Sequence, residues 1–272
     1  MVQKTLKIIH AGALQIVMEK CQEHFLPHYP DLQIELTGVG SREGAKRLLT
    51  GEKYDIIALA DQALFAELLV PNLVNNYFIF ASDQIVIGCH EESKGTIEMT
   101  PENWAEVLLK PQVSFARSDH RLDPCGYRTL MVWQLAEIFY DRPGLYSTLE
   151  AACIPYSIYP KSIDLSQALL NGQVDYAFLY SSEVRQLGLP FIPLAPKINL
   201  SNPAYAKFYD QASVSLESKI PGTTTIIHGS PIEFAIGIAK DRFQSDIAQS
   251  FVDFLTGEEG TAILEECGLT PC

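Results

Sequence analysis

The run Leu6-Lys-Ile-Ile-His10 is a short apolar segment of the kind that forms a buried strand, and the turn Ala11-Gly12-Ala13 follows it directly. Residues 14–25 then carry the apolar spacing of an amphipathic helix. The same order of strand, turn and helix recurs over residues 32–36 and 42–50. Strands that alternate with helices of this size indicate βαβ units and a parallel sheet.

A second series of alternating elements begins near residue 84 and continues to residue 180, and the proline-rich segment 191–203 after it is the best candidate for a linker. Helices predicted over 246–255 and 260–267 need a partner, and the first lobe is the natural one. We therefore predict an α/β protein of two lobes, of which lobe one is discontinuous. Lobe one comprises residues 1–81 plus 200–272, and lobe two comprises residues 82–199.

Composition excludes several classes of protein. The 272 residues include 20 Lys and Arg against 33 Asp and Glu, a formal net charge of −13, so no nucleic-acid partner is expected. Hydrophobic residues make up 47%, which is typical of a globular core, yet no apolar run is long enough to span a bilayer. The first residues lack the pattern of a signal peptide, which leaves a cytosolic protein and a mature exported chain as alternatives.

Six cysteines lie far apart without a CxxC motif and do not form a disulfide framework, although a single Cys267–Cys272 bridge stays open.

The segment Gly38-Val-Gly40-Ser41 resembles a dinucleotide fingerprint, but the next glycine is Gly44, one residue beyond the spacing that this motif requires. The turn nevertheless brings backbone N–H groups and a hydroxyl to the start of a helix, where an anion can bind. The alternative is that this is only a capped turn between a strand and a helix.

The loop before the predicted helix 126–140 is richer in reactive groups. Pro124 and Gly126 favour a helix start with open backbone N–H groups. Asp123 is either the N-cap of this helix or a carboxylate that contacts a ligand. Cys125 is a candidate nucleophile with His120 as its base, a less favoured interpretation because no other catalytic motif supports it.

From Asp123 the run Asp-Pro-Cys-Gly-Tyr-Arg-Thr-Leu-Met-Val-Trp-Gln-Leu-Ala-Glu, which ends at Glu137, resembles the signature of the tungstate/molybdate-binding proteins of ABC importers, in particular their archaeal-type branch. Further segments agree with that family in the same order, so that the resemblance covers nearly the whole chain. These segments are residues 11–14, 55–61, 102–106, 175–180, 198–200 and 205–209.

This resemblance implies a type II periplasmic-binding-protein fold, in which two α/β lobes joined by two hinge strands close on a ligand. It implies an extracytoplasmic solute-binding protein, not an enzyme, that captures tungstate or molybdate in the cleft between the lobes and delivers it to the transmembrane subunits of an ABC permease. It further implies a periplasmic or otherwise extracytoplasmic location, with a lipid anchor as one means of attachment. We expect a monomer without a cofactor.

The resemblance also implies the site. Carried over by position, the oxyanion contacts in the first lobe are Ala13 and Ser41, and those in the second are the Cys125 N–H and Tyr180. Asp123 aligns with a carboxylate that approaches the metal centre of the oxyanion and is a candidate ligand to it.

Two positions depart from the family pattern, because Ser162 stands where the family has a second carboxylate and Ala13 where it has a serine. We include Ser162 among the oxyanion contacts, but a hydroxyl is a poorer ligand than a carboxylate for a hard metal. The preferred anion therefore stays open between tungstate or molybdate and another tetrahedral oxyanion, sulfate or phosphate. A Cys125-dependent enzyme and a cytosolic ligand sensor are the remaining alternatives.

Overall fold

The computed structural model describes residues 4–217, 224–240 and 245–272. The predicted α/β class is confirmed. The strands in these ranges are β1 (Lys4–Ala11), β2 (Leu32–Val39), β3 (Ile56–Leu59), β4 (Val74–Asp83), β5 (Ile85–Cys89), β6 (Phe115–Ser118), β7 (Ile158–Tyr159), β8 (Tyr176–Tyr180), β9 (Phe191–Ile192), β10 (Ser213–Glu217), β11 (Thr224–His228), β12 (Ile232–Ala239) and β13 (Thr270–Pro271).

The α-helices of the same ranges are α1 (Gln15–Phe25), α2 (Ser41–Leu49), α3 (Trp104–Leu108), α4 (Pro124–Phe139), α5 (Leu145–Ala152), α6 (Ser162–Leu170), α7 (Ser181–Gln186), α8 (Ala206–Tyr209), α9 (Ser245–Thr256) and α10 (Glu258–Glu266). None of these helices has the length and apolar character that crossing a bilayer requires.

Two compact units divide the chain, and the first is built from two separate stretches, Met1–Ser82 and Ile232–Cys272. Its sheet has the strand order β13-β4-β12-β3-β1-β2, in which β2 and β3 flank β1 and run parallel to it, and β12 is antiparallel to β3. The aromatic side chain of Phe25 joins α1 to α9, because its ring lies 5.2 Å from Phe251 and 5.5 Å from Phe254. These contacts bury the C-terminal helices against the N-terminal part of the chain.

The second unit, Asp83–Pro231, has a five-stranded sheet in the order β7-β6-β8-β5-β9. Strands β7 and β8 run parallel to β6, whereas β5 is antiparallel to β8. Helix α4 crosses this sheet with most of its residues buried, and Trp133 on α4 packs edge-on against Phe115 and Phe178. The parallel strands β6, β7 and β8 place the starts of α4, α6 and α7 at one edge of the sheet.

The second predicted lobe boundary is wrong, because residues 200–231 belong to the second unit and not to lobe one. The side-chain amide of Gln134 on α4 holds β10 on both sides of one residue, accepting from the Ser213 N–H at 2.8 Å and donating to its carbonyl oxygen at 3.0 Å. The buried Tyr209 hydroxyl donates to the Pro196 carbonyl at 2.5 Å. The proline-rich segment is therefore followed by a β10–β11 ladder and not by a crossing into the first unit.

Gly126 in the first turn of α4 provides a test of this packing. A Cβ atom at Gly126 would lie 2.5 Å from the Ser118 carbonyl oxygen and 2.7 Å from backbone atoms of Asp119 and His120, none of which can rotate away. We expect Gly126→Ala to lower the free energy of unfolding by about 2 kcal/mol, measured by urea denaturation. The matched control is Gly12→Ala, since a Cβ there meets nothing within 4 Å. Equal stability of the two variants would contradict this account of the helix start.

Candidate functional site

The candidate site of the second unit lies at the carboxyl ends of β6, β7 and β8, where the chain leaves each strand and enters a helix. Helix α7 begins directly after β8, α6 begins three residues after β7, and α4 begins after the loop that follows β6. Each start leaves backbone N–H groups without helical partners. Ligands of open α/β sheets bind at such an edge because these donors converge there.

Asp123 connects two of these helix starts. Its Oδ1 accepts a hydrogen bond from the Cys125 N–H at 3.1 Å, and its Oδ2 accepts one from the Ser162 N–H. The N-cap interpretation of Asp123 is therefore confirmed, and the same carboxyl also holds the first residue of α6. Burial raises the pKa of Asp123, while the two backbone donors act in the opposite direction.

The Ser162 side chain extends this network to the third helix. Its hydroxyl donates to Glu183 Oε1 at 2.6 Å, and Glu183 lies in the first turn of α7. The other oxygen, Glu183 Oε2, is buried without a hydrogen-bond partner. Burial raises the pKa of Glu183 to about 8, and the nearby carboxyls of Asp123 and Asp83 add to that shift.

A buried cation accompanies these acids. The Arg128 guanidinium, one turn into α4, donates from Nη1 to the Tyr180 phenol oxygen at 2.5 Å and lies over the Tyr180 ring at 5.6 Å from its centroid. Burial raises the pKa of Tyr180 well above its usual range, so the phenol keeps its proton and can donate it. Asp83 accepts from the Ser182 hydroxyl at 2.5 Å, and burial raises the pKa of Asp83 to about 6.

Cys125 has the environment of a structural thiol. It is fully buried, its Sγ donates to the Phe178 carbonyl at 3.5 Å, and burial raises its pKa well above the usual range. A thiolate is the reactive form of cysteine, so this environment disfavours the nucleophile that the sequence suggested. The predicted oxyanion donor, the Cys125 N–H, is bonded to Asp123.

The first unit has a corresponding edge after β1, β2 and β3. Because Ala11 pairs with Val39 in the parallel register, the turn Gly12–Leu14 and the start of α2 follow neighbouring strand ends. Ser41, the first residue of α2, accepts a hydrogen bond from the Ala60 N–H at 3.0 Å through its hydroxyl. The Gly38–Ser41 segment is thus a turn into a helix, and its hydroxyl fastens the loop that follows β3.

A buried histidine, His10, precedes the last residue of β1 in the same unit. The Nδ1 atom of His10 lies 2.9 Å from the Ala11 carbonyl, which fixes the proton on that nitrogen, and Nε2 is buried without a partner. Burial lowers the pKa of His10, so the ring is neutral. Gly38 makes room for it, since a Cβ there would lie 3.2 Å from His10 Cε1.

The structure brings four of the six predicted contacts together, because Asp123, Cys125, Ser162 and Tyr180 all lie at the carboxyl edge of the second unit. Their role as ligand contacts stays a prediction, as does that of Ala13 and Ser41 in the first unit. Sequence reasoning missed Glu183 as part of this edge. Glu183 carried a usable signal, an acidic residue three positions after the end of a strand, which is typical of a first helical turn.

In the described ranges no three His, Cys, Asp or Glu side chains come together as a metal site.

The sequence of this chain matches a known protein family over nearly its whole length. A model of bacterial extracellular solute-binding proteins matches residues 6–270. This chain belongs to that family.

Individual relatives extend along nearly the whole of this solute-binding protein. An uncharacterized solute-binding protein of Petrotoga mobilis is 35% identical over 262 residues, covering 96% of this chain and 82% of its own. The molybdate/tungstate-binding protein WtpA of Pyrococcus abyssi is 35% identical over 293 residues, covering 97% of this chain and 84% of its own.

Among solved structures, the periplasmic molybdate-binding protein of Azotobacter vinelandii aligns with a TM-score of 0.68 over 97% of this chain and 98% of its own. At 15% identity this likeness shows the fold, and the predicted periplasmic-binding-protein fold is confirmed.

The two hydrogen bonds that Asp123 accepts predict how much this carboxyl contributes to the stability of the solute-binding protein. Asp123→Ala leaves two backbone N–H groups without an acceptor, and we expect a loss of about 2 kcal/mol in the free energy of unfolding. The matched control is Asp61→Ala, where Oδ1 accepts the Ala63 N–H at 3.2 Å, and about 1 kcal/mol is expected. The bridging role of Asp123 is wrong if both variants lose the same amount in a urea titration.

The burial of Cys125 predicts its reactivity. Cys272 is exposed and Cys125 is fully buried, so we expect iodoacetamide to modify native Cys272 at least about tenfold faster, as measured by peptide mass spectrometry. In urea all six cysteines become accessible and provide the control. Rapid modification of Cys125 in the native protein would instead contradict its burial and support the hypothesis of a Cys125-dependent enzyme.

Proposed function

We propose that this chain binds a tetrahedral oxyanion, with molybdate or tungstate as its solute, and delivers it to an ABC importer. The observation that carries this proposal is the edge of the second unit, where α4 and α6 begin side by side and Arg128 is buried close behind them. The name of the Pyrococcus abyssi relative supports the choice of anion.

The overall charge of −13 does not by itself oppose an anion at this edge. Distant surface charges are screened beyond roughly 8–10 Å at physiological salt, whereas helix-end N–H groups contact a ligand directly. The Arg128 guanidinium and the Tyr180 phenol add a buried positive charge and a donor. Local donors therefore outweigh the net charge.

Transport provides the context of this proposal. We infer that the protein works outside the cytoplasm, held by a lipid anchor or free in the periplasm, and that it acts as a monomer without catalysing a reaction. The permease of an ABC transporter would be its macromolecular partner. When cells that express the full-length gene product are fractionated, we expect the protein in the periplasmic or the membrane fraction and not in the cytosolic fraction.

Sulfate and phosphate are the competing solutes, because Ser162 offers a hydroxyl where a carboxylate would favour a metal centre. In this alternative the Asp123 carboxyl remains a cap and does not reach a metal. Calorimetric titration with tungstate, molybdate, sulfate and phosphate separates the two candidates.

The proposed function predicts stabilisation by ligand. A ligand at about 100 times its Kd stabilises the folded state by about 2.7 kcal/mol, so we expect tungstate or molybdate to raise the melting temperature by several degrees. Calorimetric titration with tungstate, molybdate, sulfate and phosphate then ranks the anions. Unchanged melting curves with all four anions would contradict oxyanion binding, and uptake of sulfate or phosphate alone would select the alternative solute.

A further inference from the structure

The two oxygens of the Glu183 carboxyl differ in their hydrogen bonding. Oε1 accepts the Ser162 hydroxyl at 2.6 Å, and Oε2 is buried with no hydrogen-bond partner. Burial of an ionised carboxylate is unfavourable when one of its oxygens has no hydrogen-bond partner, and protonation removes that charge. The geometry therefore favours the neutral acid.

The charges around Glu183 point the same way. Asp123 before α4 and Asp83 at the end of β4 are the carboxyls that face it, while Arg128 is the cation that acts on both of those aspartates. Tyr180 and Cys125 contribute neutral, protonated groups. Three ionised acids around one guanidinium would leave a surplus of two negative charges in a buried cluster, so at least one acid takes up a proton. The pKa of about 8 identifies Glu183 as that acid.

A neutral Glu183 changes what this edge can bind, because the acid carries an O–H group on the oxygen that lacks a partner. A buried donor needs an acceptor, and an oxyanion at the starts of α4 and α6 provides one. We propose that Glu183 is a specificity-determining residue of the anion site, in which Ser162 holds Oε1 and the protonated Oε2 donates a hydrogen bond to an oxygen of the bound anion. This inference rests on the proposed oxyanion function.

The chemical class that such a donor selects is a fully deprotonated tetrahedral oxyanion. All of its oxygens are acceptors, so it satisfies the Glu183 proton without a proton of its own. An ionised carboxylate at the same place would instead repel this anion and accept only from a protonated one. The protonation of one side chain thus determines which class of oxyanion the edge tolerates.

A purely structural role makes a different prediction. Glu183 is the third residue of α7, and its carboxyl interacts with the backbone of the N-cap residue, Tyr180, which lowers the pKa of Glu183 against the effect of burial. A glutamate that only caps its helix would affect stability, and its loss would leave anion affinity and the pH dependence of binding unchanged.

The test uses tungstate as the probe in calorimetric titrations at pH 7 and pH 9. Glu183→Gln keeps a donor of the same size, and we expect it to bind within about threefold of the wild type at pH 7. Glu183→Met keeps the volume but removes the donor, and we expect affinity to fall by about tenfold or more. Glu102→Gln, at an exposed position of the second unit, is the control for loss of one acidic residue.

The pH series supplies a readout that does not depend on Glu183→Met folding. Wild-type affinity should fall about tenfold between pH 7 and pH 9, because Glu183 loses its proton as the pH rises through about 8. Glu183→Gln should lose this dependence, and Glu102→Gln should keep it. Tungstate binding by the wild type with equal affinity in Glu183→Met, or with the same pH dependence in Glu183→Gln, overturns the role of Glu183 and leaves the proposed function intact. Absence of wild-type binding to all four oxyanions at pH 7 overturns both.

Discussion

The carboxyl group of Asp123 is the interaction on which the second unit's polar edge depends. Two helices that begin at neighbouring strand ends each leave backbone N–H groups unpaired, and a single carboxyl accepts one from each. Its two oxygens fix the separation of α4 and α6. Gly126 makes this possible, since the first turn of α4 touches the backbone of the preceding loop at a distance that a Cβ would not permit.

This arrangement sets a limit on how charge is distributed behind the edge. Asp123 must accept hydrogen bonds to hold the helices, so it is best ionised, and the Arg128 guanidinium supports that state. Asp83 and Glu183 then share an interior in which a further negative charge is costly. Proton uptake by Glu183 relieves the surplus, and the same proton is the one we propose as a donor at the edge. Structural and binding roles are thus linked through one hydrogen-bonded chain from α4 to α7.

Much of the fold was predictable because buried parallel strands and amphipathic helices leave distinct periodicities. The strand at Lys4–Ala11, the turn into α2 and the N-cap at Asp123 were all visible in the sequence. Strand β4 was missed because half of it is exposed and its pattern does not alternate. The second lobe boundary failed for a different reason: the bonds that keep β10 in the second unit come from Gln134, far away in the chain, and no local pattern encodes them.

The site shows the same limit more sharply. Ser162 stands where the family resemblance places a second carboxylate. This departure predicts a weaker site for an anion with a metal centre. In the folded unit the Glu183 carboxyl lies 2.6 Å from that hydroxyl, supplied by helix α7, which starts at Ser181. The sequence therefore shows which side chain follows each strand end. It does not show which side chains from neighbouring strand ends complete the site. Because parallel strands align their carboxyl ends, a group lost at one helix start can be provided by the next, and the chemistry of the edge belongs to the three starts together.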